Sequence, residues 1–311
     1  MPRIVIPDDE PSVMSPSTAY TRLAGHDVRT YPSRPATSDE LLERIREAEI
    51  VINIRSTSRF TADVLAQCRN LRLISIWGTG TDNVDLIAAK ARGIRVTNTP
   101  AVSATSVAEH ALALIMAVMK QIVQVDREVK EGKWPRAMVG QLFGKTLGLI
   151  GTGAIGREVA RLGKGIGMRV IAWTFHPGDG VVEAVSLEEV FRLSDVVSVH
   201  VRQSPETLGM IHRGYFDLMK PSAIFINTAR GPIVKEADLL EALQTNRIAG
   251  AGLDVFEKEP LPKDSPFFSL PNVVLTPHSA GITPEATEAG LALAIENVFA
   301  FLAGQPINLV L

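Results

Sequence analysis

The 311-residue sequence predicts an α/β fold with two doubly wound parallel-sheet domains. Short apolar runs rich in valine and isoleucine alternate with longer amphipathic stretches, which is typical of parallel strands covered by helices on both faces. The runs form two sets, five before residue 100 and six after residue 145. A chain of this length is also ample for two domains.

The first set of predicted strands lies at residues 3–7, 27–31, 49–54, 71–77 and 94–98. Ser103 to Lys130 then repeats apolar residues with a helical period, which predicts one long helix linking the domains. A last helix, opened by Thr283 and Pro284, is expected to pack back on the first domain. The predicted boundaries are therefore 1–100 plus 284–311 for the first domain and 101–283 for the second.

The composition excludes several classes of protein. A formal net charge of −2 without a basic block argues against a nucleic-acid partner. Cys68 is the only cysteine, so neither an internal disulfide nor a multi-cysteine metal site is expected. The longest apolar run is far shorter than the ~20 residues of a membrane span. We therefore expect a cytoplasmic protein with no membrane partner.

The second set of strands, at residues 146–151, 168–173, 195–201, 223–228, 251–256 and 272–277, opens with a glycine-rich turn. Gly151, Gly153 and Gly156 have the spacing G-x-G-x-x-G, with Ala154 and Ile155 as further candidate cofactor contacts, and Arg157 to Leu162 form a helical continuation. A strand, this turn and a helix together predict a dinucleotide site with the pyrophosphate at the helix N-terminus.

The choice between NAD and NADP stays open on the residues. An acidic residue is expected about 20 positions after the loop, to bind the ribose 2′-hydroxyl. Thr174 stands 18 positions after Gly156 and does not repel a 2′-phosphate as a carboxylate does. Arg202, after the third strand of the set, is the nearest candidate cation for that phosphate. Its alternative interpretation is a solvated surface arginine.

Three ionisable residues follow the fourth, fifth and sixth strands of this set: Arg230, Glu259 and His278. Open α/β sheets bind their ligands at the carboxyl ends of the strands, so we expect these side chains beside a nicotinamide. A histidine transfers protons near neutral pH, a carboxylate against its other ring nitrogen favours the charged imidazole, and an arginine holds a carboxylate bidentately. The trio predicts a catalytic site for proton transfer beside the nicotinamide, and because the nicotinamide carries the redox step, no metal is needed.

Nearly the whole chain resembles the D-isomer-specific 2-hydroxyacid dehydrogenases. The matching segments are WGTGTDNVDL, VTNTPAVSATSVAEHALAL, GTGAIGREVA, VSVHVRQSPETLGMI, INTARGPIV, GLDVFEKEP and LTPHSAG. The resemblance implies a Rossmann dinucleotide-binding domain and a flavodoxin-like substrate domain. It also implies a homodimer, to which we expect the apolar helix at 107–119 to contribute; its alternative interpretation is burial between the two domains of one chain.

The family pattern assigns roles residue by residue. It implies that Arg230 binds the substrate carboxylate and carbonyl, that His278 is the acid–base residue and that Glu259 orients it. Backbone amides around Thr79 and Gly80 are implied to hold the substrate carboxylate. The remaining implied cofactor contacts, which include the nicotinamide side, are Val201, Thr228, Ala229, Asp254 and Gly281.

The sequence also departs from the family pattern. Thr174 replaces the acidic residue of many NAD-using members, and Arg202 stands where proline or an apolar residue is common. Trp77 is bulkier than the alanine often found before the substrate loop. Arg55 and Ser56 resemble the R-S pair of the phosphoglycerate dehydrogenases, which keeps a phosphorylated substrate open. The alternative function is a nucleotide-sensing co-repressor with little turnover, which would keep the same trio.

Overall fold

The computed structural model describes residues 1–55, 57–136, 138–175 and 182–311. Within these residues the chain divides into two units, which we call unit 1 (Met1–Ser103 with Ile282–Leu311) and unit 2 (Ala104–Gly281). Each unit is built on one sheet with helices between its strands, so the predicted α/β fold class is confirmed. The chain passes between the units twice, after Ser103 and after Gly281.

Unit 1 has a five-stranded sheet with the strand order β2-β1-β3-β4-β5. All its pairings are parallel, and this is the strand order of flavodoxin-like folds, as the family resemblance implies. The strands are β1 (Arg3–Ile6), β2 (Asp27–Thr30), β3 (Ile50–Asn53), β4 (Leu73–Ile76) and β5 (Arg95–Thr97). Because β3 and β4 are buried along their whole length, they are mostly apolar, with one buried polar residue each, Asn53 and Ser75.

The helices of unit 1 cover both faces of its sheet. They are α1 (Ser38–Ile45), α2 (Ala62–Gln67), α3 (Leu86–Ala91) and the C-terminal α10 (Pro284–Leu302). Helix α10 begins directly after Thr283, whose side chain accepts a hydrogen bond from the Ala286 amide. Its buried face packs with the sheet in one core cluster, and the Ser75 hydroxyl of β4 donates to the Ala294 carbonyl at 2.8 Å. The helix thus returns to unit 1 after the chain has built unit 2.

Unit 2 has a parallel sheet with the strand order β12-β11-β10-β9-β6-β7-β8. The order reverses between β6 and β9, which is the topological switch point where such sheets bind dinucleotides. The strands are β6 (Thr146–Ile150), β7 (Arg169–Trp173), β8 (Glu183–Ala184), β9 (Val196–Val199), β10 (Ile224–Asn227), β11 (Gly250–Leu253) and β12 (Val273–Leu275). The helices after them are α6 (Ala154–Gly165), α7 (Leu187–Leu193), α8 (Arg213–Phe216) and α9 (Glu236–Gln244).

The predicted count of six strands in this sheet is wrong, because the described residues contain seven. The missed strand, β8, has two residues that are both exposed, so it leaves no apolar run in the sequence. The strand before Arg202 is consequently the fourth of the sheet and not the third. It pairs with β6 on the side opposite to β7, the strand that precedes Thr174.

The single helix predicted from Ser103 to Lys130 is also wrong. The structure has two helices, α4 (Ala104–Met119) and α5 (Ile122–Lys130), bent by 59° at the break between them. Gln121 adopts a left-handed backbone conformation with φ 53°, and the Met119 carbonyl accepts a hydrogen bond from the Gly140 amide instead of continuing the helix. Among the described residues, no single helix is long and apolar enough to span a membrane; only the bent α4–α5 pair reaches that length and composition together.

Candidate active site

The three predicted ionisable residues lie after three neighbouring strands of unit 2. Arg230 follows β10, Glu259 follows β11 and His278 follows β12, and these strands are adjacent in the sheet. The chain therefore brings all three to the carboxyl edge of one half of the sheet. This is the edge at which parallel α/β sheets bind ligands.

His278 and Glu259 are joined by a short hydrogen bond. The His278 Nδ1 atom lies 2.7 Å from Glu259 Oε2, and the two side chains are 38% and 35% exposed. The other carboxylate oxygen, Oε1, accepts the Phe256 amide at 3.0 Å. With Nδ1 occupied by the carboxylate, Nε2 is the ring nitrogen that can exchange a proton with a substrate.

Glu259 is ionised in this arrangement. Burial raises the pKa of its carboxyl group, but the hydrogen bond and charge of His278, the Phe256 amide and the charge of Arg230 together outweigh it, so the pKa lies below the ordinary value. The carboxylate can then orient the imidazole and balance its positive charge.

The loop that carries Arg230 is held by its neighbours. The Asn227 side chain accepts the Ala229 amide at 3.0 Å and donates to the Arg230 carbonyl at 3.1 Å. A Cβ on Gly231 would lie 1.9 Å from the carbonyl carbon of Phe256, so only glycine permits this approach to the segment after β11. Asn227 and Gly231 thus set the position of Arg230 relative to the Glu259 loop.

The glycine-rich turn has the geometry that the sequence predicts. Gly151 has φ 103°, and a Cβ there would lie 2.8 Å from the His200 carbonyl. A Cβ on Gly156 would lie 2.1 Å from the Gly151 carbonyl oxygen, which is the close helix-to-strand packing expected of the third glycine. Gly153, the N-cap of α6, has no side chain to cap the helix, and open space lies where its Cβ would be. The open side of this turn, with Ala154 and Ile155 in the first turn of α6, suits a phosphate group.

Comparisons with known proteins agree with this geometry. A family model described as "D-isomer specific 2-hydroxyacid dehydrogenase, NAD binding domain" matches residues 112–280. A glyoxylate reductase of Korarchaeum cryptofilum is 40% identical over 289 residues, which cover 89% of this chain and 86% of the relative. This chain belongs to the D-isomer specific 2-hydroxyacid dehydrogenase family.

Two further relatives support that membership. A glycerate dehydrogenase of Methylorubrum extorquens is 40% identical over 296 residues, covering 92% of each chain. The solved structure of an acyclic imino acid reductase in complex with NADPH and D-Arg matches with a TM-score of 0.92 at 32% identity, covering 99% of this chain and 100% of that one. The dehydrogenase is an oxidoreductase of this family, and none of these relatives supports the co-repressor alternative.

The Asp254 carboxylate makes hydrogen bonds within the protein that the sequence did not predict. The family pattern places this residue near the nicotinamide, whereas its buried carboxylate binds the chain around His278. It accepts the Ser279 and Ala280 amides at 2.9 Å each and the Thr276 hydroxyl at 2.6 Å. His110 of α4, which the sequence analysis did not single out, lies 3.0 Å from that hydroxyl.

The other predicted cofactor residues surround the switch point of the sheet. Thr174 directly follows β7, while Val201 and Arg202 follow β9 on the other side of β6. Arg202 is exposed. Hydrogen bonds from the Ser204 hydroxyl and from its own amide lower the pKa of Glu206, and the charge of Arg202 adds a smaller lowering. The Thr228 hydroxyl after β10 is buried without a hydrogen-bond partner in the described part of the chain, so it is available to a bound group.

His200 is a residue of this region that sequence reasoning missed. Its Nε2 lies 2.8 Å from the Ser198 hydroxyl, and its own carbonyl lies against Gly151. Burial lowers the pKa of His200 to about 3, so the ring stays neutral and adds no charge beside the glycine-rich turn. Gly281, the remaining predicted contact, is the last residue of unit 2.

The predicted substrate residues of unit 1 follow β3 and β4. Thr79 and Gly80 lie in the loop after β4, where the Thr79 carbonyl accepts the Asn98 side chain at 2.8 Å. Trp77, which precedes them, packs its indole ring against Gly290 of α10. This contact explains how the chain accommodates a residue larger than the usual alanine.

Arg55 follows β3 and is partly enclosed. Burial lowers the pKa of its guanidinium, against the opposing influence of Asp8 and Asp9. One terminal nitrogen donates to the Pro11 carbonyl, and Nε is buried without a partner among the described residues. Its predicted neighbour in the R-S pair, Ser56, lies outside the described residues.

Proposed function

We propose that this dehydrogenase interconverts a small 2-keto acid and the corresponding D-2-hydroxy acid, with Arg230, Glu259 and His278 acting on the substrate. The observation that carries the proposal is the 2.7 Å bond between His278 and Glu259 at the strand edge that also carries Arg230. This arrangement brings together a proton donor (His278), a carboxylate that orients it (Glu259) and a cation that can bind a substrate carboxylate (Arg230).

Each side chain has a separate task in the reaction. The hydride for the carbonyl carbon would come from a reduced nicotinamide, when one is bound. Arg230 holds the carboxylate of the acid through its planar fork and polarises the carbonyl. The protonated His278 donates its Nε2 proton to the carbonyl oxygen as negative charge develops there, which completes the hydroxyl group. Glu259 keeps Nδ1 bonded, so the imidazole holds its orientation in both directions of the reaction.

The residues that would hold the cofactor are those of the glycine-rich turn and the strand ends beside it. Gly151 and Gly156 let the backbone approach, the open side of Gly153 leaves room for the pyrophosphate, and the unpartnered Thr228 hydroxyl can bond the bound group. We propose a nicotinamide dinucleotide as the cofactor on these contacts.

We propose a small, unphosphorylated substrate. The relatives above are named for glyoxylate and glycerate, which are acids of two and three carbons. Arg55, the candidate for a phosphate contact, donates to the Pro11 carbonyl and lies within the influence of Asp8 and Asp9. Those carboxylates offset its charge, so a dianionic phosphate gains little there.

The test is an assay of purified enzyme against a panel of 2-keto acids with NADH and with NADPH. We expect the highest kcat/KM with a two- or three-carbon acid, and His278→Ala to lower kcat by roughly 10²–10⁴-fold with little change in cofactor affinity. Undiminished turnover of His278→Ala removes this residue from the mechanism. A panel on which only phosphorylated acids react overturns the proposed substrate class.

We propose that the enzyme accepts both cofactors. Thr174 places no carboxylate against a 2′-phosphate, and the imino acid reductase that matches this fold was solved with NADPH. The expected preference is within about tenfold, equivalent to ~1.4 kcal/mol. Thr174→Asp should then shift it toward NADH, and Arg202→Ala should weaken NADPH alone if that arginine meets the phosphate. A wild-type enzyme that already excludes NADPH by several hundredfold contradicts the proposal.

We propose a homodimer, on a surface different from the predicted one. The apolar sequence of helix α4 predicts a place at the contact, but its residues Ala108, Ala111 and Ile115 are buried in a core cluster of unit 2. Large apolar side chains are instead exposed on and after α5: Ile122, Val123, Val129, Trp134, Met138 and Phe143. A patch of this kind is typical of a protein interface. Light scattering at micromolar concentration should give twice the 33.6 kDa of the chain, and a monomeric mass contradicts the proposal.

A further inference from the structure

A chain of hydrogen bonds connects helix α4 with the segment that carries His278. His110 Nε2 lies 3.0 Å from the Thr276 hydroxyl oxygen, which lies 2.6 Å from Asp254 Oδ1. The same His110 nitrogen is 3.6 Å from that carboxylate oxygen. Asp254 is fully buried, and the His110 side chain is 24% exposed. All these groups belong to unit 2.

The direction of these bonds follows from the groups involved. The Thr276 hydroxyl donates its single proton to Asp254 Oδ1. The hydroxyl oxygen can then only accept from His110, which requires a proton on the His110 Nε2 atom. Both hydrogen bonds therefore point the same way, with His110 donating to Thr276 and Thr276 donating to Asp254.

Asp254 in turn holds the backbone at the acid–base residue and at the two residues after it. Its carboxylate accepts the Ser279 and Ala280 amides, and its main-chain carbonyl accepts the His278 amide at 2.8 Å. His278 has φ 53°, a left-handed conformation that is unfavourable for a residue with a side chain. Such a conformation persists only where the surroundings over-determine it, and these three amide bonds do so here.

We propose that His110 is a positioning residue, which acts through Thr276 and Asp254 to keep the His278 segment in its left-handed conformation. His110 has no role in binding the dinucleotide in this proposal. The inference rests on the proposed acid–base role of His278. It predicts that loss of the His110 hydrogen bond impairs turnover while cofactor affinity is preserved.

The first pair of variants compares His110→Leu with His110→Gln. Leucine removes the donor, whereas the glutamine amide can place an N–H near the position of Nε2. For His110→Leu we expect kcat to fall about 10- to 100-fold, the size of effect that a small misplacement of a reacting group produces. The NADH dissociation constant, measured by fluorescence titration, should change less than about twofold, and His110→Gln should recover most of kcat. Glu109→Gln, at an exposed neighbour on the same helix, is the matched control.

A second pair of variants keeps the test informative if His110→Leu fails to fold. Thr276→Val removes the hydroxyl with almost no change in shape and should lower kcat as His110→Leu does, whereas Thr276→Ser should not. Because the two residues act through the same series of hydrogen bonds, the double variant His110→Leu with Thr276→Val should lose less kcat than the two single losses combined.

Other results overturn the inference. A positioning role is contradicted if His110→Leu and Thr276→Val both keep the wild-type kcat. It is also contradicted if His110→Gln loses as much kcat as His110→Leu, or if NADH affinity falls in parallel with kcat. His278→Ala, assayed beside them, separates the two levels of the argument. If it retains turnover, the proposed mechanism fails; if it loses turnover while His110→Leu does not, only the role of His110 fails.

Discussion

Helix α6 offers a test of the dinucleotide turn that does not depend on knowing the substrate. Its residue Gly156 packs so closely on the turn that a Cβ would lie 2.1 Å from the Gly151 carbonyl oxygen. This is more than 1 Å short of an ordinary contact, and the obstructing atom belongs to the backbone. Gly156→Ala therefore forces the start of α6 away from β6.

The magnitude follows from two opposing effects. Overpacking of this kind costs typically about 1–3 kcal/mol. Alanine also favours a helix over glycine by up to ~1 kcal/mol, which opposes the loss. The Gly151 oxygen has little room to give way, because the Gly151 amide is bonded to the Trp173 carbonyl at 2.8 Å and its φ is 103°. We expect a net loss of ~1–2 kcal/mol in the free energy of unfolding. Cofactor affinity should fall about tenfold or more, since tenfold corresponds to only ~1.4 kcal/mol.

The same helix supplies two matched controls. A Cβ on Gly165 meets nothing within 4 Å, so Gly165→Ala should leave cofactor binding unchanged and stability equal or slightly higher. A Cβ on Gly163 would lie 2.6 Å from Leu147 Cδ2, the end of a side chain that can rotate, so Gly163→Ala should have an intermediate effect on stability.

The assays are urea unfolding, which reports stability, and NADH titration, which reports affinity. We expect the largest loss of stability in Gly156→Ala, a smaller loss in Gly163→Ala and none in Gly165→Ala, with a loss of NADH affinity in Gly156→Ala alone. If Gly156→Ala binds NADH as tightly as Gly165→Ala does, the close packing of α6 is not what shapes the dinucleotide site.

Two further predictions concern unit 1. Gly290→Ala would place a Cβ 2.0 Å from Trp77 Nε1, so urea unfolding should show that the free energy of unfolding falls by about 1–3 kcal/mol. Trp77→Leu in the same variant should restore it. A gain in stability in Gly290→Ala refutes the contact. Burial raises the pKa of Asp9, but the Met14, Val13 and Ser15 hydrogen bonds outweigh it and keep the pKa below 3.8. Its stabilising contribution should therefore be complete above about pH 5 and be lost as the pH falls below 3.8, and Asp9→Asn should flatten this part of the pH dependence of unfolding. An unchanged pH profile in Asp9→Asn excludes that carboxylate as the cause.

Where strands are buried on both faces, the sequence alone was enough to predict them. A run such as Ile50 to Ile52 of β3 is apolar at successive positions because both faces of the strand are buried. β8 escaped this reasoning because its two exposed residues carry no such pattern. The bend before α5 escaped it for a different reason: Gln121 is a residue of ordinary helix propensity, and only tertiary contacts, such as the Gly140 amide on the Met119 carbonyl, impose its conformation.

Some residues of the candidate site could also be predicted from the sequence, and others could not. Arg230, Glu259 and His278 were predictable because each follows a strand, and adjacent parallel strands end at a common edge. His110 was not, because it lies in the apolar helical pattern of α4, 144 positions before Asp254 in the chain. Its significance depends on the contact with Thr276, and no sequence periodicity encodes that contact.

The left-handed conformation of His278 explains why the contacts of Asp254, Thr276 and His110 are needed. A glycine would adopt φ 53° at little cost, but it has no imidazole, so the acid–base role requires a side chain where the backbone disfavours one. The free energy of that conformation has to come from neighbouring bonds, and Asp254 supplies them from a fully buried position. A buried carboxylate is itself stable only when its oxygens are occupied, and Thr276, held by His110, completes that requirement. The chemistry at the strand edge therefore depends on a helix whose sequence gives no sign of it.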